Sequence, residues 1–266
     1  MTALAAIHPD TSFVRPLRAF VSFEVRRTLR NRRYLFFAIG FPVVFYLLYT
    51  GVLSGDTADP KATIAGIPWR TYFMISMATY GAIGASLSGA VLIAQERASG
   101  WVRHLRVTPL PPAAYVMGKL IVASLATIPA IAVVLAAGVV VVGVDLPALS
   151  WPELLAVLVL GSLPFAALAL LLGYLFTADA AQGAMTITFF GLAILGGLWA
   201  PITTFPDTLA TIGRMLPSFR LADAGRLVAS GALPDPGDIA ILLAYGVVLG
   251  ALAAWRYRAA SGRADG

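Results

Sequence analysis

The feature that most constrains this chain is a set of six long stretches without a charged residue or a histidine. About 20 apolar residues let a helix cross a bilayer, and a charge at the helix centre costs about 2.5–3.5 kcal/mol. The stretches cover residues 34–53, 71–94, 120–144, 154–176, 184–200 and 239–255. The sequence therefore predicts an all-α integral membrane protein with six transmembrane helices, in a domain that covers residues 34–255.

The composition argues against a soluble fold. The chain is 59% hydrophobic and only 12% charged, whereas soluble domains are about a quarter charged. A soluble protein of 266 residues has too little interior to hide that much apolar surface. We therefore expect a protein that resides in lipid and that is not a soluble enzyme.

The distribution of basic residues predicts the orientation in the membrane. With six spans, the segments 1–33, 95–119, 177–183 and 256–266 lie on one side and carry 14 of the 19 lysines and arginines. The opposite side carries the other five, Lys61, Arg70, Arg214, Arg220 and Arg226. Because positive charge concentrates in cytoplasmic loops, both termini are predicted to be cytoplasmic, the second as a tail over 256–266.

The cytoplasmic N-terminus, residues 1–33, contains a candidate interfacial helix. Its apolar residues recur at helical spacing and its arginines fall mainly on the other side; the apolar set is Phe13, Leu17, Phe20, Val21, Val25 and Leu29. The pattern favours an amphipathic helix on membrane lipid, with arginines among anionic headgroups. Glu24 falls on the apolar side and could pair with Arg27. A simple topology anchor explains the same pattern.

The residue types exclude most chemistry within the chain. It has no cysteine, and its two histidines, His8 and His104, lie outside the spans. No phosphate-binding loop is present, because Gly118-Lys119 is followed by leucine and position 113 is alanine. No span offers a general base, a metal-ligand cluster or an ion-coupling charge. We therefore expect no catalytic residue, metal or cofactor in this chain, no nucleic-acid partner, and an energy source in another protein.

Small residues mark one face of the second span. Gly81, Gly84 and Gly89 stand among alanines and serines, and small residues let helices approach closely. The pattern fits a dimer interface and packing inside one subunit equally well. In the fifth span, Gly191, Gly196 and Gly197 indicate a broken helix or a re-entrant continuation.

The loop over residues 95–119 contains a short candidate helix. Trp101 and Leu105 share an apolar face, Arg103 and Arg106 flank it, and Pro109 ends it. Such a helix suits a groove on another protein. An ordinary loop that is basic because of its orientation has the same composition.

Three groups of residues resemble the membrane subunits of type-2 ABC exporters, which handle drugs, lipids and polysaccharides. The loop matches the family pattern at Glu96, Arg97, Gly100, Arg103, Leu105, Arg106, Thr108, Pro109, Gly118 and Lys119. The fourth span matches at Pro164, Leu172 and Gly173. The outer segment, residues 201–238, matches at Pro201, Pro206, Pro217 and residues 222–226, after Gly-Gly-Leu-Trp-Ala at 196–200. The likeness covers nearly the whole chain.

The resemblance implies a permease that moves a lipophilic or amphipathic substrate out of a bacterial cell across the plasma membrane. ATP and magnesium would bind to a separate cytoplasmic ABC ATPase, and a second permease copy would complete a homodimer or heterodimer. The residues implied for coupling to the ATPase are Glu96, Arg97, Gly100, Trp101, Arg103, Leu105, Arg106 and Pro109. Short re-entrant outer helices would form an outer gate at Pro201, Pro206, Pro217, Asp223 and Arg226. The alternative is an ATP-independent secondary transporter or channel.

Overall fold

The computed structural model describes residues 14–32, 35–51, 62–100 and 112–262, and most of these residues are helical. The first part contains α1 (Val14–Leu29), a π-helical segment (Leu35–Gly40), α2 (Phe41–Gly51), α3 (Trp69–Leu87) and α4 (Gly89–Ala98). The part from residue 112 contains α5 (Pro112–Ala137), a second π-helical segment (Gly138–Val142), α6 (Ser150–Leu160), α7 (Leu163–Leu175), α8 (Ala178–Leu195), a 3₁₀ turn (Ile202–Thr204), α9 (Asp207–Met215), α10 (Pro217–Ala229) and α11 (Pro236–Gly262).

A small hairpin interrupts this helical architecture just before α3. Strand β1 (Thr63–Ile64) pairs antiparallel with β2 (Ile67–Pro68). The two turn residues, Ala65 and Gly66, have φ values of +52° and +80°. A type I′ turn requires positive φ at both central positions, so this turn reverses the chain directly into α3.

Five helical stretches are long and apolar enough to cross a membrane, so the protein is a multi-pass membrane protein. They are Trp69–Ala98, Tyr115–Val142, Ser150–Leu175, Ala178–Leu195 and Pro236–Arg258. The first predicted span, 34–53, is described only over 35–51, and its apolar helix, Ala38–Gly51, is shorter than the other five. The count of six spans therefore stays a prediction.

Helix α3 is the centre of the fold. Each of its residues is buried except Arg70 and Gly84, and α2, α5, α6, α7, α8 and α10 pack around it. A helix that is apolar on all sides belongs inside a bundle, and the side chains of Met74, Tyr80 and Ile83 are fully buried there.

Helix α4 continues α3 almost without interruption. Only Ser88 separates them, and its backbone N–H still donates to the Gly84 carbonyl at 3.1 Å. The central helix therefore extends directly to Gly100, which precedes the 101–111 segment.

Helix α8 differs from the predicted fifth span. The sequence placed that span at 184–200, whereas the helix begins at Ala178 and ends at Leu195. The Thr177 hydroxyl accepts from the Ala180 N–H at 3.4 Å and caps the start. Gly197 has φ +70°, a left-handed conformation that ends helices and suits glycine. The helix therefore ends before Gly196, and the 3₁₀ turn follows at Ile202–Thr204.

Two short helices, α9 and α10, form most of the outer segment between α8 and α11. Pro206 immediately precedes α9, and Pro217 is the first residue of α10, where the missing N–H costs no helical hydrogen bond. Helix α10 packs against α3, α6 and α11. This packing brings the outer segment onto the central helix.

Candidate functional site

A buried ion cluster joins three helices at one end of the bundle. It consists of Glu24 and Arg27 of α1, Glu96 of α4, and Tyr115 and Lys119 of α5. The Lys119 ammonium lies 2.7 Å from Glu24 Oε2 and 2.8 Å from Glu96 Oε1. One lysine thus connects the N-terminal helix with the helices on both sides of the 101–111 segment.

Glu96 is the most fully bonded carboxylate of the ion cluster. Its Oε1 accepts from Lys119 Nζ and from an Arg27 guanidinium nitrogen, each at 2.8 Å. Its Oε2 accepts from the Tyr115 hydroxyl at 2.8 Å. Both oxygens therefore have charged or polar donors in an environment that excludes most water.

The charges of the ion cluster balance. The exposed fraction of the side chain is 2% for Glu24, 3% for Glu96 and 7% for Lys119, whereas Arg27 is 38% exposed. Two carboxylates face two cations, and buried charges are tolerated only when paired and hydrogen-bonded. Removing one member therefore leaves an uncompensated buried charge.

A glycine lets α1 approach α5 closely enough to form the ion cluster. A Cβ atom on Gly118 would lie 2.6 Å from the Phe20 ring. The Phe20 and Tyr115 ring centres are 5.8 Å apart, and Lys119 Nζ lies 5.6 Å and 5.5 Å from them. The lysine therefore has aromatic faces on two sides as well as its two carboxylates.

Arg97 makes a separate connection from α4 to α7. Its guanidinium donates to the Gly173 carbonyl at 2.7 Å and lies 5.0 Å from the ring centre of Tyr174. The last carbonyls of a helix lack intrahelical partners, and Gly173 lies within the last turn of α7. Glu96 and Arg97 thus fix the end of α4 to two different neighbours.

The other predicted coupling residues divide between described and undescribed parts of the chain. Gly100 has φ +73° and ends α4. Trp101, Arg103, Leu105, Arg106 and Pro109 lie outside the described residues. The structure therefore positions both ends of this segment, and its docking role stays a prediction.

Sequence reasoning did not select Glu24, Arg27, Tyr115 or Lys119 as site residues. Three signals were present. Glu24 was the misplaced charge on the apolar side of α1, Lys119 is one of two lysines in the chain, and Lys119 also matched the family pattern. Arg27 does lie 3.4 Å from Glu24, as the sequence suggested, but the shorter contact of Glu24 is with Lys119. The misplaced charge marked the face of α1 that packs on the protein.

The predicted outer-gate residues fall into two groups. Pro201 and Pro206 precede the 3₁₀ turn and α9, whereas Pro217, Asp223 and Arg226 belong to α10. Arg226 is buried, donates to the Ser76 hydroxyl at 3.2 Å, and has its guanidinium carbon 4.1 Å from the ring centre of Tyr72. Its contact with Asp223 is longer, 3.7 Å.

Arg226 therefore connects α10 to the central helix more than it pairs with Asp223. Burial lowers the pKa of its guanidinium, because the surroundings disfavour the charged form. Tyr72 and the Asp223 carboxylate offset part of this effect on the pKa.

The predicted packing glycines of α3 and α4 are used differently. A Cβ on Gly81 would lie 2.9 Å from the Ala38 carbonyl oxygen, and one on Gly84 would lie 3.1 Å from the Phe189 ring. A Cβ on Gly89 would meet nothing within 4 Å. Gly81 and Gly84 therefore serve close packing inside this chain.

Two comparisons with known proteins agree with this architecture. A sequence model of the family described as "ABC-2 family transporter protein" matches residues 69–255, more than half of the chain. The chain is also 29% identical over 223 residues to a protein of Bacillus subtilis (strain 168) called "Putative transport permease YvfS". That alignment covers 84% of this chain and 89% of the relative.

Proposed function

The chain belongs to the ABC-2 family of transporter proteins and is a membrane transport permease, and from that premise we propose that it is the membrane subunit of an ATP-driven exporter. A separate cytoplasmic ABC ATPase binds ATP and magnesium, and this chain supplies the path across a bacterial plasma membrane, with both termini cytoplasmic. The cargo is lipophilic or amphipathic, as a drug, a lipid or a glycan-linked lipid is.

The observation that carries the coupling role is the attachment of Lys119 to both Glu24 and Glu96. Glu96 lies five residues before the 101–111 segment and Lys119 lies eight residues after it. The ion pair therefore closes the base of this segment, so its two ends move together. An ATPase that pushes on Trp101 and Leu105 would move α4, α5 and α1 as one unit.

Such a movement has a direct route into the spans. Helix α4 continues α3 across Ser88, and α3 is the helix around which α2, α5, α6, α7, α8 and α10 pack. Arg97 adds a second route, because it holds the Gly173 carbonyl of α7. The proposed mechanism is alternating access, in which the ATPase dimer binds the inward- and outward-facing states with different affinity.

The outer side has a contact that such a movement would break. Arg226 of α10 holds Ser76 and Tyr72 of α3, so the outer segment is fixed to the central helix in this conformation. Opening an exit requires α10 to move relative to α3. We assign Asp223, Arg226 and the three prolines to this outer gate.

An aromatic group supports the proposed cargo class. It consists of Phe41, Phe45, Tyr49, Tyr80, Phe189, Phe190 and Trp199. The Phe45 and Trp199 ring centres are 5.5 Å apart, and both side chains are half-buried. Among the described residues, the Tyr80 hydroxyl and Trp199 Nε1 have no hydrogen-bond partner. Both of these atoms are buried in this conformation, whereas the half-buried rings of Phe41, Phe45, Phe190 and Trp199 present aromatic surface that suits the apolar part of a lipophilic or amphipathic molecule.

A second permease copy has a suitable surface on α8. This helix exposes Ile187 and Ile194, and Cβ atoms on Gly183 and Gly191 would meet nothing within 4 Å. Glycines and small residues four or eight positions apart permit close helix–helix contact in lipid. By contrast, α11 exposes Leu243, Val247 and Val248, which suit lipid chains.

The decisive experiment replaces the proposed docking face. The double variant Trp101→Ala/Leu105→Ala is expected to insert normally but to lose ATPase co-purification and cargo-stimulated ATP hydrolysis in proteoliposomes. The matched control is Trp255→Ala/Leu233→Ala, which removes the same two side-chain types at exposed positions far along the chain. The control is expected to retain both activities.

Two results would contradict the proposal. Wild-type behaviour of the Trp101→Ala/Leu105→Ala variant would remove the docking role. Cargo transport by the purified chain in liposomes that contain no ATPase would favour the ATP-independent transporter or channel instead.

A further inference from the structure

A small cavity lies beside the ion cluster, between α1, α3, α4, α5 and α7. Its volume is about 30 Å³. The polar part of its lining is Glu24, Thr28, Ser86, Ser88 and Lys119, and the rest is mostly alanine and leucine. The cavity therefore brings charged groups of α1 and α5 next to serine hydroxyls at the end of α3.

The cavity has polar groups that lack sufficient protein partners. The Ser86 hydroxyl is fully buried and has no hydrogen-bond partner among the described residues. Glu24 has one short contact, with Lys119, and its other oxygen faces Arg27 at 3.4 Å. A buried hydroxyl without a partner is unfavourable, so a small ligand that donates and accepts hydrogen bonds would stabilise this site.

Size and charge define that ligand. A water molecule needs about 10–15 Å³ of such space and two to four polar partners, so the cavity has room for about two. A cation would face the Lys119 ammonium, and an anion would face the Glu24 carboxylate. A neutral molecule with both donors and acceptors matches this mixed lining.

We propose that the cavity is a water-binding site in which two waters connect the Ser86 hydroxyl to the Glu24–Lys119 pair. The waters satisfy Ser86 and the second oxygen of Glu24. Because water can rearrange more easily than a fixed side-chain contact, the site also allows the unit of α1, α4 and α5 to shift against α7 during coupling. This second role rests on the proposed function; the binding of water does not.

Radiolytic footprinting of the full chain in nanodiscs tests the water directly. Hydroxyl radicals formed from bound water oxidise the side chains beside it, including buried ones. Leu170 and Val122 line the cavity and are buried, and Leu158 and Val134 are buried matched controls that do not line it. Oxidation of Leu170 and Val122, with Leu158 and Val134 unmodified, is the expected result. If all four stay unmodified, the cavity is dry and the proposal fails.

A variant that fills the cavity tests whether the oxidation of Leu170 and Val122 comes from water bound there. Ala123→Val adds two methyl groups to the cavity wall, whereas Ala136→Val adds them at an exposed position of the same helix. Oxidation of Leu170 and Val122 should fall to the control level in Ala123→Val only. Unchanged oxidation in Ala123→Val would mean that the radicals come from elsewhere and would overturn the site.

The same two variants test the role in coupling. With the cognate ATPase, both are expected to bind it equally, and Ala123→Val is expected to transport cargo more slowly than Ala136→Val. Equal transport rates would overturn the role in coupling. Footprinting needs no ATPase, so a failure of the proposed function would leave its result unaffected.

Discussion

Glu24 and Lys119 are 95 positions apart in the chain, yet their charged groups are in contact at 2.7 Å inside the protein. The contact fixes the N-terminal helix to the start of the Tyr115–Val142 span. Both side chains are almost fully buried, so the pair depends on each charged member being present. The N-terminal helix is therefore part of the folded bundle, with one face on protein and its arginines Arg18, Arg26 and Arg30 exposed on the other.

Replacing Lys119 with methionine should strongly destabilise the protein. The change keeps an unbranched side chain of similar length but leaves Glu24 with only the 3.4 Å contact to Arg27. Breaking a buried pair by removing one partner costs about 3–5 kcal/mol. We expect a lower unfolding temperature in detergent and faster proteolysis within α1.

The double variant Glu24→Met/Lys119→Met is the control for this prediction. It removes both charges, while Glu96 keeps Arg27 and Tyr115. Because members of one network are not additive, the double variant should be more stable than the sum of the single changes. Strict additivity would show that the two side chains act independently.

Adding a methyl group at Gly118 should loosen α1 from α5. In Gly118→Ala the new Cβ would overlap the Phe20 ring at 2.6 Å, and overpacking of this kind costs about 1–3 kcal/mol. Gly250→Ala is the matched control, because its Cβ would meet nothing within 4 Å and alanine favours a helix by about 1 kcal/mol. Thermal unfolding should move in opposite directions for the two variants, and a stabilised Gly118→Ala would contradict this close packing.

Much of the fold could be predicted from the sequence, because long apolar stretches without charges are stable as helices within a membrane. Five of the six predicted stretches coincide with helices long enough to cross a membrane. The ends of these helices were harder to predict, because the hydropathy of a stretch does not show which residues cap a helix. Thr177 and Gly197 fix the ends of α8 by hydrogen bonding and backbone conformation, and so this helix lies about five residues before the predicted span.

The candidate site was only partly accessible from the sequence. Glu96 and Arg97 were predicted from the resemblance, but nothing in the sequence gives the distance between Glu24 and Lys119. A charge on the apolar face of a helix has two explanations, an imperfect amphipathic pattern or a buried partner. Only the tertiary packing of α1 on α5 decides between them.

Arg226 should control how firmly α10 is held to α3. In Arg226→Leu the hydrogen bond to Ser76 and the contact with the Tyr72 ring are lost. We expect faster amide hydrogen exchange across Pro217–Ala229, because local opening follows from lost buried contacts. Arg214→Leu, at an exposed position of α9, should leave exchange in α10 unchanged. Equal exchange in the two variants would remove Arg226 from the outer gate.

The orientation of the chain can be measured with single cysteines, because the natural sequence contains none. Ala180, in the first turn of α8, and Leu233, beyond α10, are both exposed, and the membrane-length helix α8 carries the chain from one towards the other. The distribution of basic residues predicts that Ala180 is cytoplasmic and Leu233 external. A membrane-impermeant maleimide on intact cells should therefore label Leu233→Cys, and label Ala180→Cys only after lysis. Labelling of both cysteines in intact cells would mean that α8 does not cross the membrane. The reverse labelling pattern would place the ion cluster and the 101–111 segment outside the cell, where no cytoplasmic ATPase could reach them.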